Sequence, residues 1–588
     1  MRRFDLWAPR RRAVTLQVNG VCVGMSKVGD RGWWQAEGVE AEPGADYGFL
    51  VDDDPTVYPD PRSPRQPTGV HGLSRVYGQD RFHWTDEGFQ PIPLAGAIVY
   101  ELHVGTFTRQ GTLDAAIEKL DDLIDLGITH VELMPVASFA GNYGWGYDGV
   151  ALFSVHEPYG GPDALKRFVN AAHAHGLAVL LDVVYNHFGP EGDYTGKFGP
   201  YLIDAHKTPW GGAVNLEGAD SFEVRRFFCD NATMWLRDYH ADGLRLDAVH
   251  AFVDRSAIHF LEQLSEEVEK LSATLGRQLV LVAESDLNDP RIVTPREAGG
   301  LGMDAQWNDD FHHALFTVLK HEPEPGYYAD FGSLGQLAKA IEKAFVYDGI
   351  YSRYRRCVHG RPVPGLSQHR FFAFIQNHDQ VGNRATGDRI AQIVGLARAR
   401  IAAALVLTGP FVPMLFQGEE WAVTSPFLYF ANHEDPAIAG AVSQGRKHEF
   451  AAFGWDPDSI PDPESLDTFT RSKLHWDEVN ESEHAAMRAW YRDLMRLRRS
   501  TPDLNDGEPG HTNVAFDEQQ QWLRMARGSI VVFCNLGPEP HAFALAASSE
   551  LLLASEPAIS VRGSAITLPA DSTAILRFDY GSPPNCAF

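Results

Sequence analysis

Eight short apolar segments recur between residues 97 and 420, and stretches with helical periodicity separate most of them. Each segment is hydrophobic almost without interruption. Strands that are apolar on both faces are typical of a parallel sheet covered by helices, and eight of them close a (β/α)8 TIM barrel. The segments are AIVYELHV, THVELMPV, LAVLLDVVYNH, GLRLDAVH, LVLVAES, MDAQWND, FFAFIQNHD and VPMLFQGEE.

Shorter, alternating runs with turn residues between them flank this central region on both sides. They predict antiparallel β-sandwiches. The sequence therefore predicts an α/β protein with an N-terminal β-sandwich over residues 1–92, a catalytic barrel with loop insertions over 93–502, and a C-terminal β-sandwich over 503–588. The irregular stretch 188–218 is expected to cover the active face. The last barrel helix, 482–500, is expected to be capped by Ser482.

The composition limits the classes of partner. The chain has 588 residues with 51 basic and 78 acidic side chains, a formal net charge of −27. A protein this acidic lacks the basic face that nucleic acid or an anionic membrane requires, so neither partner is expected. Five cysteines without a CxxC pair favour neither a disulfide framework nor a metal cluster.

Two segments bear on location. The opening MRRFDLWAPRRR is basic, but the apolar segment of a signal peptide does not follow it, so a cytoplasmic location is expected. The longest uncharged stretch, 401–418, contains Gly409, Pro410 and Pro413. It is predicted to be a helix-to-strand junction rather than a membrane span.

Polar side chains stand where the predicted strands end, which is where reacting groups lie in barrels of this type. One acid at such a position would fit a structural hydrogen-bond acceptor. Acids and histidines on successive strand ends indicate a catalytic site instead. These residues include His103, Asp182, Asn186, His187, Arg245, Asp247, His250, Glu284, Asp309, His378, Asp379, Glu419 and Glu420.

The pattern fits cleavage of a glycosidic bond, which needs one ionised and one protonated carboxyl group. Arg245 lies two residues before Asp247, so both side chains point to the same side of a strand. The guanidinium is expected to keep Asp247 ionised as a nucleophile. Glu284 ends a strongly apolar strand, and burial there is expected to raise its pKa and keep its proton. Retention would place the two carboxyl groups about 5 to 5.5 Å apart.

Four blocks, DVVYNH, GLRLDAVH, the glutamate of LVAES and QNHD, resemble the four signature segments of the α-amylase superfamily of glycoside hydrolases. The resemblance covers essentially the whole chain, and the sandwich before the barrel is similar to that of the isoamylase-like and branching-enzyme branch. It implies that Asp247 is the nucleophile, Glu284 the general acid/base and Asp379 the third acid, which binds sugar hydroxyls. No cofactor is expected. Asn186 supports a calcium site in relatives, but no full acidic ligand set accompanies it, so no metal is expected.

The same resemblance implies roles for residues around these acids. His187 and His378 would bind the sugar at the cleaved bond, and Arg245 would orient the nucleophile. Tyr147, in the WGYDG loop, would stack on that sugar, with a buried loop aromatic as the alternative. His250, at the end of the fourth strand, is counted among the substrate-binding residues.

Further blocks resemble the trehalose-releasing branch of the superfamily, namely GWGYDG, DDFHH, QNHDQVGNR, LFQGEEW and GRKHEF (445–450). That resemblance implies hydrolysis of the α-1,4 bond between a maltooligosaccharide and a terminal trehalose. The substrate would be a maltooligosyltrehalose, and the enzyme would act after a maltooligosyltrehalose synthase.

Recognition of trehalose, a compact non-reducing sugar, requires hydrogen-bonding groups beyond the cleaved bond. The candidates follow the sixth and seventh strands. The alternative is ordinary polar packing on the barrel rim, and for Phe311 a core position is as good as a sugar platform. The candidates are Asp309, Asp310, Phe311, His312, His313, Gln380 and Asn383.

Two other functions compete. A glycogen branching or debranching enzyme would share the acids and act on branched α-1,6 polymer instead. A catalytically inactive barrel that binds glucan would lack the acids, whereas Asp247, Glu284 and Asp379 are all present. In the N-terminal domain Trp33 and Trp34 are possible glucan platforms, but adjacent strand residues face opposite sides, so at least one is expected in the core.

Overall fold

The eight apolar segments form a closed parallel barrel in which each strand pairs with its neighbours in chain order. The computed structural model describes residues 4–208, 211–322, 325–363, 365–452, 460–545 and 548–579. The predicted α/β barrel is therefore confirmed. Its strands are Val99–Leu102, His130–Leu133, Ala178–Val183, Gly243–Leu246, Val280–Ala283, Ala305–Trp307, Phe371–Ala373 and Val412–Phe416.

The strand register separates the barrel interior into an apolar and a polar part. Side chains such as Val282, Phe374 and Met414 fill the interior as one apolar cluster. Beside it, Glu101 is the register partner of Glu132 on the next strand. Asp182 is likewise the partner of Arg245. All four are almost fully buried. Strand side chains alternate between faces, so these four side chains point into the barrel interior. A charge buried there is costly unless another group compensates it.

Helices cover the outside of the barrel between most of the strands. The connection from the fifth to the sixth strand is different, because its described residues form two short 3-10 turns, Pro290–Ile292 and Arg296–Ala298. The longer helices are Gly161–Ala174, Ser221–Asp238, Phe260–Leu275, Asp309–Lys320, Leu334–Lys343, Ile390–Thr408, Pro436–Ala452 and Ser482–Ser500. Shorter ones are Val104–Phe107, Leu113–Ile117, Leu120–Leu126, His378–Gly382 and Leu466–Arg471.

Two helix predictions had different outcomes. Helix Ser482–Ser500 has the predicted bounds, but Glu481 occupies its N-cap position without a capping side-chain bond, so the predicted Ser482 cap is wrong. Helix Ile390–Thr408 is the one described helix that is long and apolar enough to cross a membrane by length and composition. Half of its apolar stretch is buried in the protein. It leads into strand Val412–Phe416, as expected of a helix-to-strand junction.

The N-terminal region consists of two small antiparallel sheets. Trp34, on one of them, is buried in their shared apolar core. Trp33 points the other way and packs against the main core cluster that includes the barrel. Their opposite facing follows the alternation expected of a strand. One sheet contains Asp5–Trp7, Trp33–Gln35 and Ser26–Val28, and the other Val21–Gly24, Val14–Val18, Asp46–Val51 and Ser74–Arg75.

The stretch after the third barrel strand packs on this N-terminal region. Phe198 is 1% exposed and belongs to the core of the N-terminal sheets, and its ring lies 6.3 Å from that of Phe49. An antiparallel hairpin follows, Leu202–Thr208 with Gly211–Val214. The expected irregular cover is thus partly a β-hairpin, and part of the stretch completes a second core.

The linker between the N-terminal sheets and the barrel is fixed at the amino end of the barrel strands. Asp86 accepts hydrogen bonds from His173 Nδ1 and His240 Nδ1, each at 2.8 Å. His173 Nε2 also lies 2.9 Å from Asp242 Oδ2. Trp84 stacks on His240 with ring centroids 3.7 Å apart. We call this group, Asp86, His173, His240 and Asp242, the linker clasp.

The C-terminal region also has two antiparallel sheets with an apolar core between them. Arg527 joins it to the barrel by donating from Nη1 to the carbonyls of Thr408, Gly409 and Leu504. The first sheet contains Thr512–Asp517, Trp522–Arg527, Ile530–Asn535, Ser572–Phe578 and Ser549–Ala554. The second contains His541–Ala544, Ala565–Leu568 and Val561–Arg562.

Candidate active site

Arg245 is the centre of the site at the carboxyl end of the barrel strands. Its Nη1 donates to Asp182 at 2.8 and 2.9 Å and to Asp247 Oδ1 at 2.9 Å. Its Nη2 forms an ion pair with Glu284 Oε2 at 2.9 Å. The guanidinium also lies 4.1 Å from the ring centroid of Trp307. One buried cation therefore holds three carboxyl groups from the third, fourth and fifth strands.

Asp247 is fixed through both carboxylate oxygens. Arg245 donates to Oδ1, and Asn186 Nδ2 donates to Oδ2 at 2.7 Å and to the Asp247 carbonyl at 2.9 Å. These donors complement a negative charge and fix its position. Asn186 thus supports the aspartate directly. Within the described part of the chain, no group of three or more His, Cys, Asp or Glu side chains could hold a metal ion.

A strained residue joins the two carboxyl groups. Ala248 has φ 40° and ψ 51°, in the left-handed region that residues with a Cβ seldom adopt. This conformation directs its backbone N–H to Glu284 Oε2 at 2.8 Å. The backbone immediately after Asp247 therefore positions Glu284 as well.

Glu284 is held so that its protonated form is favoured. Burial raises the pKa of its carboxyl group, and the nearby Asp247 charge raises it further, although Arg245 and the Ala248 N–H act in the opposite direction. The side chain is still 18% exposed. A carboxyl group with a raised pKa and access to the cleft can donate a proton to a leaving oxygen.

His378 and Asp379 follow the seventh strand. His378 Nδ1 lies 2.5 Å from Glu101 Oε1, and its Nε2 lies 3.6 Å from Asp379 Oδ1. Asp379 is 35% exposed, and its Oδ1 accepts a bond from Asn383 at 3.2 Å. The third acid thus has free carboxylate surface in the cleft.

Tyr147 and His187 form one wall of the site. The Tyr147 hydroxyl donates to Asp182 Oδ2 at 2.5 Å, and its ring stacks on His378 with centroids 5.0 Å apart. His187 Nε2 donates to the Tyr147 carbonyl at 3.0 Å. Tyr147 is half-buried, so part of its ring faces the cleft. His250 lies exposed in the turn Val249–Ala251, close enough for its charge to act on Glu284.

Three of the rim candidates lie beside the acids. Burial raises the pKa of Asp309 well above its usual value, and the nearby charges of Glu284 and Asp379 raise it further. Gln380 Nε2 donates to Asp309 Oδ1 at 3.5 Å, and its Oε1 accepts from Tyr328 at 3.0 Å. Asn383 is exposed next to Asp379.

The GRKHEF segment contacts the same region through Arg446, which donates to the Gly382 carbonyl at 2.6 Å. The side chains of Glu449 and Phe450 lie outside the described part of the structure.

The other rim candidates are buried, as in the alternative of packing on the barrel rim, so their prediction as sugar-binding residues stays a prediction. Asp310 accepts bonds from the backbone N–H groups of Val346 and Tyr347 at 2.7 and 2.8 Å. Phe311 is 0% exposed. Helix Asp309–Lys320 turns by about 100° per residue, so its successive side chains point in different directions.

The two histidines of the same helix are also buried. His312 Nε2 lies 3.0 Å from the Tyr328 hydroxyl. The His313 ring packs among those of Tyr327, Tyr328 and Phe331. Burial lowers the pKa of both imidazoles, so they are neutral. Both side chains are buried among aromatic rings.

Three buried acids of the site were not assigned a role from the sequence. Asp182 pairs with Arg245 and Tyr147, Glu101 holds His378, and Glu132 lies beside Glu101. The available signal was a carboxyl residue within an apolar strand, as in VYEL and HVEL. A carboxyl group in such a segment that faces the buried barrel interior either meets a partner there or stays protonated.

Comparison with known proteins agrees with this geometry. The α-amylase catalytic domain family matches residues 76–201, and a domain family of unknown function, DUF3459, matches residues 509–575. A crystal structure of a protein described as a candidate α-amylase, from Salmonella typhimurium, superimposes with a TM-score of 0.90 at 36% identity, covering 98% of this chain and 97% of that one. The fold and the site define a glycoside hydrolase of the α-amylase superfamily.

Two curated relatives identify the family. The Malto-oligosyltrehalose trehalohydrolase of Mycobacterium tuberculosis (strain CDC 1551 / Oshkosh) is 51% identical, covering 98% of this chain and 99% of the relative. The enzyme of that name from Rhizobium sp. (strain M-11) is 48% identical, with coverage of 98% and 97%. The chain belongs to the malto-oligosyltrehalose trehalohydrolase family. The predicted resemblance to the trehalose-releasing branch is confirmed.

Proposed function

We propose that the chain hydrolyses the α-1,4 bond that joins a maltooligosaccharide to a terminal trehalose, with retention at the cleaved carbon. The observation that carries this proposal is the grouping of three carboxyl groups on Arg245, in a chain similar to trehalohydrolases along its whole length. Similarity over nearly the full length supports this substrate over a branched polymer.

In the first half of the reaction, an Asp247 carboxylate oxygen attacks the anomeric carbon of the glucosyl unit next to trehalose. Glu284 transfers its proton to the departing trehalose oxygen, and a glycosyl ester forms on Asp247. The Arg245 and Asn186 bonds hold the nucleophile in one orientation. Asp379 binds the sugar hydroxyls as positive charge develops on the ring.

In the second half, ionised Glu284 takes a proton from a water molecule, and the water oxygen attacks the anomeric carbon from the side that trehalose has left. The bond between that carbon and Asp247 breaks, and the Asp247 carboxylate is regenerated. The maltooligosaccharide is released, and Glu284 carries its proton again. The Ala248 N–H and Arg245 stabilise the ionised Glu284 between the two halves. Retention is the expected outcome because both steps invert the same carbon.

The remaining roles follow from position. His187, His378 and Tyr147 would surround the reacting glucosyl unit, and Asp309, Gln380, Asn383 and His250 would bind beyond it. We further propose that a maltooligosyltrehalose synthase supplies the substrate and that the enzyme acts in the cytoplasm.

The test is product analysis on maltopentaosyl-trehalose and amylopectin side by side. Free trehalose and maltopentaose from the first, with the second nearly untouched, are expected. Asp247→Ala and Glu284→Gln should each reduce kcat by about 10³-fold or more. The exposed Glu297→Gln is the matched control. Debranching or branch transfer on amylopectin, or a near-wild-type rate in either active-site variant, would contradict the proposal.

A further inference from the structure

Two glutamates lie side by side inside the barrel, below the catalytic acids. Glu101 on the first strand and Glu132 on the second are register partners. Each is 1% exposed. Two carboxylates this close in a buried setting cannot both carry a charge without a large cost, unless a cation compensates them. Their hydrogen bonds show how the cost is avoided.

Glu101 is fully engaged with His378. Its Oε1 lies 2.5 Å from His378 Nδ1, and its Oε2 accepts from the His378 backbone N–H at 3.0 Å. His378 is itself 1% exposed. The carboxylate can only accept a bond, so Nδ1 carries a proton and the other ring nitrogen, Nε2, faces Asp379. Glu101 therefore fixes the orientation of this ring and holds a proton on its Nδ1.

Glu132 differs from Glu101 in its hydrogen bonding. Among the described residues, neither of its carboxyl oxygens has a hydrogen-bond partner. Burial, followed by the charge of Glu101, raises the pKa of this carboxyl well above its usual value. Glu132 is consequently neutral, while its register partner carries the charge that faces His378.

The charged surroundings of His378 come from several elements. Rings also enclose it, with Tyr147 stacked at 5.0 Å and Trp145 edge-on at 5.4 Å. Burial alone would lower the pKa of the imidazole, but the carboxylates of Asp379 and Glu101 raise it to about 9. The titratable groups acting on it are Glu101, His103, Glu132, Asp182, Arg245 and Asp379.

We propose that Glu101 is a positioning residue for the reaction: it orients His378 and keeps it an imidazolium, so that a charged Nε2–H faces Asp379 and the sugar bound there. The catalytic consequence rests on the proposed function, because it requires a sugar beside Asp379. The charge on His378 does not depend on a bound sugar or on the proposed function. A charge-assisted donor is about twice as strong as a neutral one.

The test compares Glu101→Gln with Glu132→Gln, which are isosteric changes at register partners. Imidazole titrations are followed by NMR in ¹⁵N-histidine-labelled enzyme, and His378→Gln assigns the signal. In Glu101→Gln the pKa of His378 should fall by about one unit or more, because a charge is lost. In Glu132→Gln it should stay at the wild-type value, since a neutral group replaces a neutral group.

Kinetics provide the second readout. Glu101→Gln should lower kcat/KM at neutral pH about tenfold or more. Glu101→Asp keeps the charge, so it should preserve the His378 titration even where kcat/KM falls, and it decides the point if Glu101→Gln does not fold. An unchanged titration in Glu101→Gln, or an equal shift in Glu132→Gln, would overturn the proposal. A shifted titration with unchanged kcat/KM would overturn its catalytic part.

Failure of this proposal and of the proposed function give different results. If the wild-type enzyme releases no trehalose, the function is wrong, and the titrations still decide whether Glu101 sets the charge of His378. If trehalose is released and the titrations do not differ, the function stands and Glu101 has no such role.

Discussion

Two histidines in this molecule each lie between two carboxyl groups, at opposite ends of the barrel. His173, in the linker clasp, lies 2.8 Å from Asp86 and 2.9 Å from Asp242, and the side chains of all three are at most 4% exposed. His378 has one close partner, Glu101, and a second carboxylate, Asp379, that is 3.6 Å away and 35% exposed. One histidine and two carboxyl groups are therefore fully buried at one end of the barrel, whereas at the other end the second carboxyl group is partly exposed.

The difference indicates which arrangement holds structure together and which one serves a reaction. In the clasp both ring nitrogens of His173 bond to buried carboxylates of the protein, so the free energy of these bonds contributes to folding. At the active site one carboxylate keeps unused hydrogen-bonding capacity, which a substrate can take up. The two roles are distinguished by how deeply the second carboxylate is buried and how far it lies from the imidazole, more than by residue type.

The largest expected difference is in catalysis. Asp379→Asn should lower kcat/KM for maltopentaosyl-trehalose by about 10²–10³-fold, because a charge that faces the transition state is lost. Asp242→Asn is the matched change in the clasp. It should leave kcat/KM of the folded enzyme within about twofold. Steady-state kinetics check both, and a large loss of kcat/KM in Asp242→Asn would remove the distinction.

The second expected difference is in stability. His173→Gln removes the cation that Asp86 and Asp242 share, and leaves them only His240 and, at 3.7 Å, Arg277. It should lower the free energy of unfolding by about 2 kcal/mol. Burial lowers the pKa of His173, but its bonds to Asp242 and Asp86 outweigh this and raise it overall. The clasp therefore stabilises fully below the unfolded-state value of about 6.5 and loses its contribution as pH rises through the folded-state pKa.

For Asp86 the contribution to stability depends on pH in the opposite direction. Burial raises the pKa of Asp86, but its bonds to His173 and His240 bring it below the usual value. Its contribution is thus lost as pH falls below about 4. Denaturant unfolding at several pH values should show the His173→Gln deficit greatest between about pH 4 and 6.5. A deficit that does not change with pH would mean that the clasp is not an ion pair.

The smallest expected effect concerns the aromatic cover of the clasp. Trp84→Ala removes a ring stacked on His240 at 3.7 Å and should cost about 1 kcal/mol of stability. His83→Ala, at the exposed neighbouring position, is the control and should have almost no effect. Thermal unfolding of both variants measures the difference. Equal changes in Tm would show that the stacking contributes nothing.

The barrel could be predicted from the sequence because its strands are nearly continuous apolar segments with no competing interpretation. The pairing of Arg245 with Asp247 was also predictable, since a spacing of two residues puts both on one face of a strand. The burial of the four residues from Asp310 to His313 was not predicted. Asn308 caps a helix directly after the sixth strand, and the linear sequence does not show which helix face meets the cleft.

Other parts of the site depend on contacts between distant strands. Glu101 meets His378, which is 277 residues away, and the single sequence contains no information about that pairing. The residues themselves were visible as carboxyls in apolar strands. Glu101 is bonded to His378, whereas Glu132 has no hydrogen-bond partner in the part of the chain that the structure describes. This difference depends on the barrel register, which only the three-dimensional structure provides.

The burial of Phe198 in the N-terminal core has a consequence for the modularity of this enzyme. Phe198 belongs to the barrel part of the chain, yet it is a core residue of the sheets that precede the barrel. Removing those sheets would expose this ring to solvent, and transplanting them onto another barrel would leave a cavity in their core. The two regions are thus separate in sequence, but the hydrophobic core of the sheets includes a residue of the barrel part. They are exchangeable only together with the loop that carries Phe198.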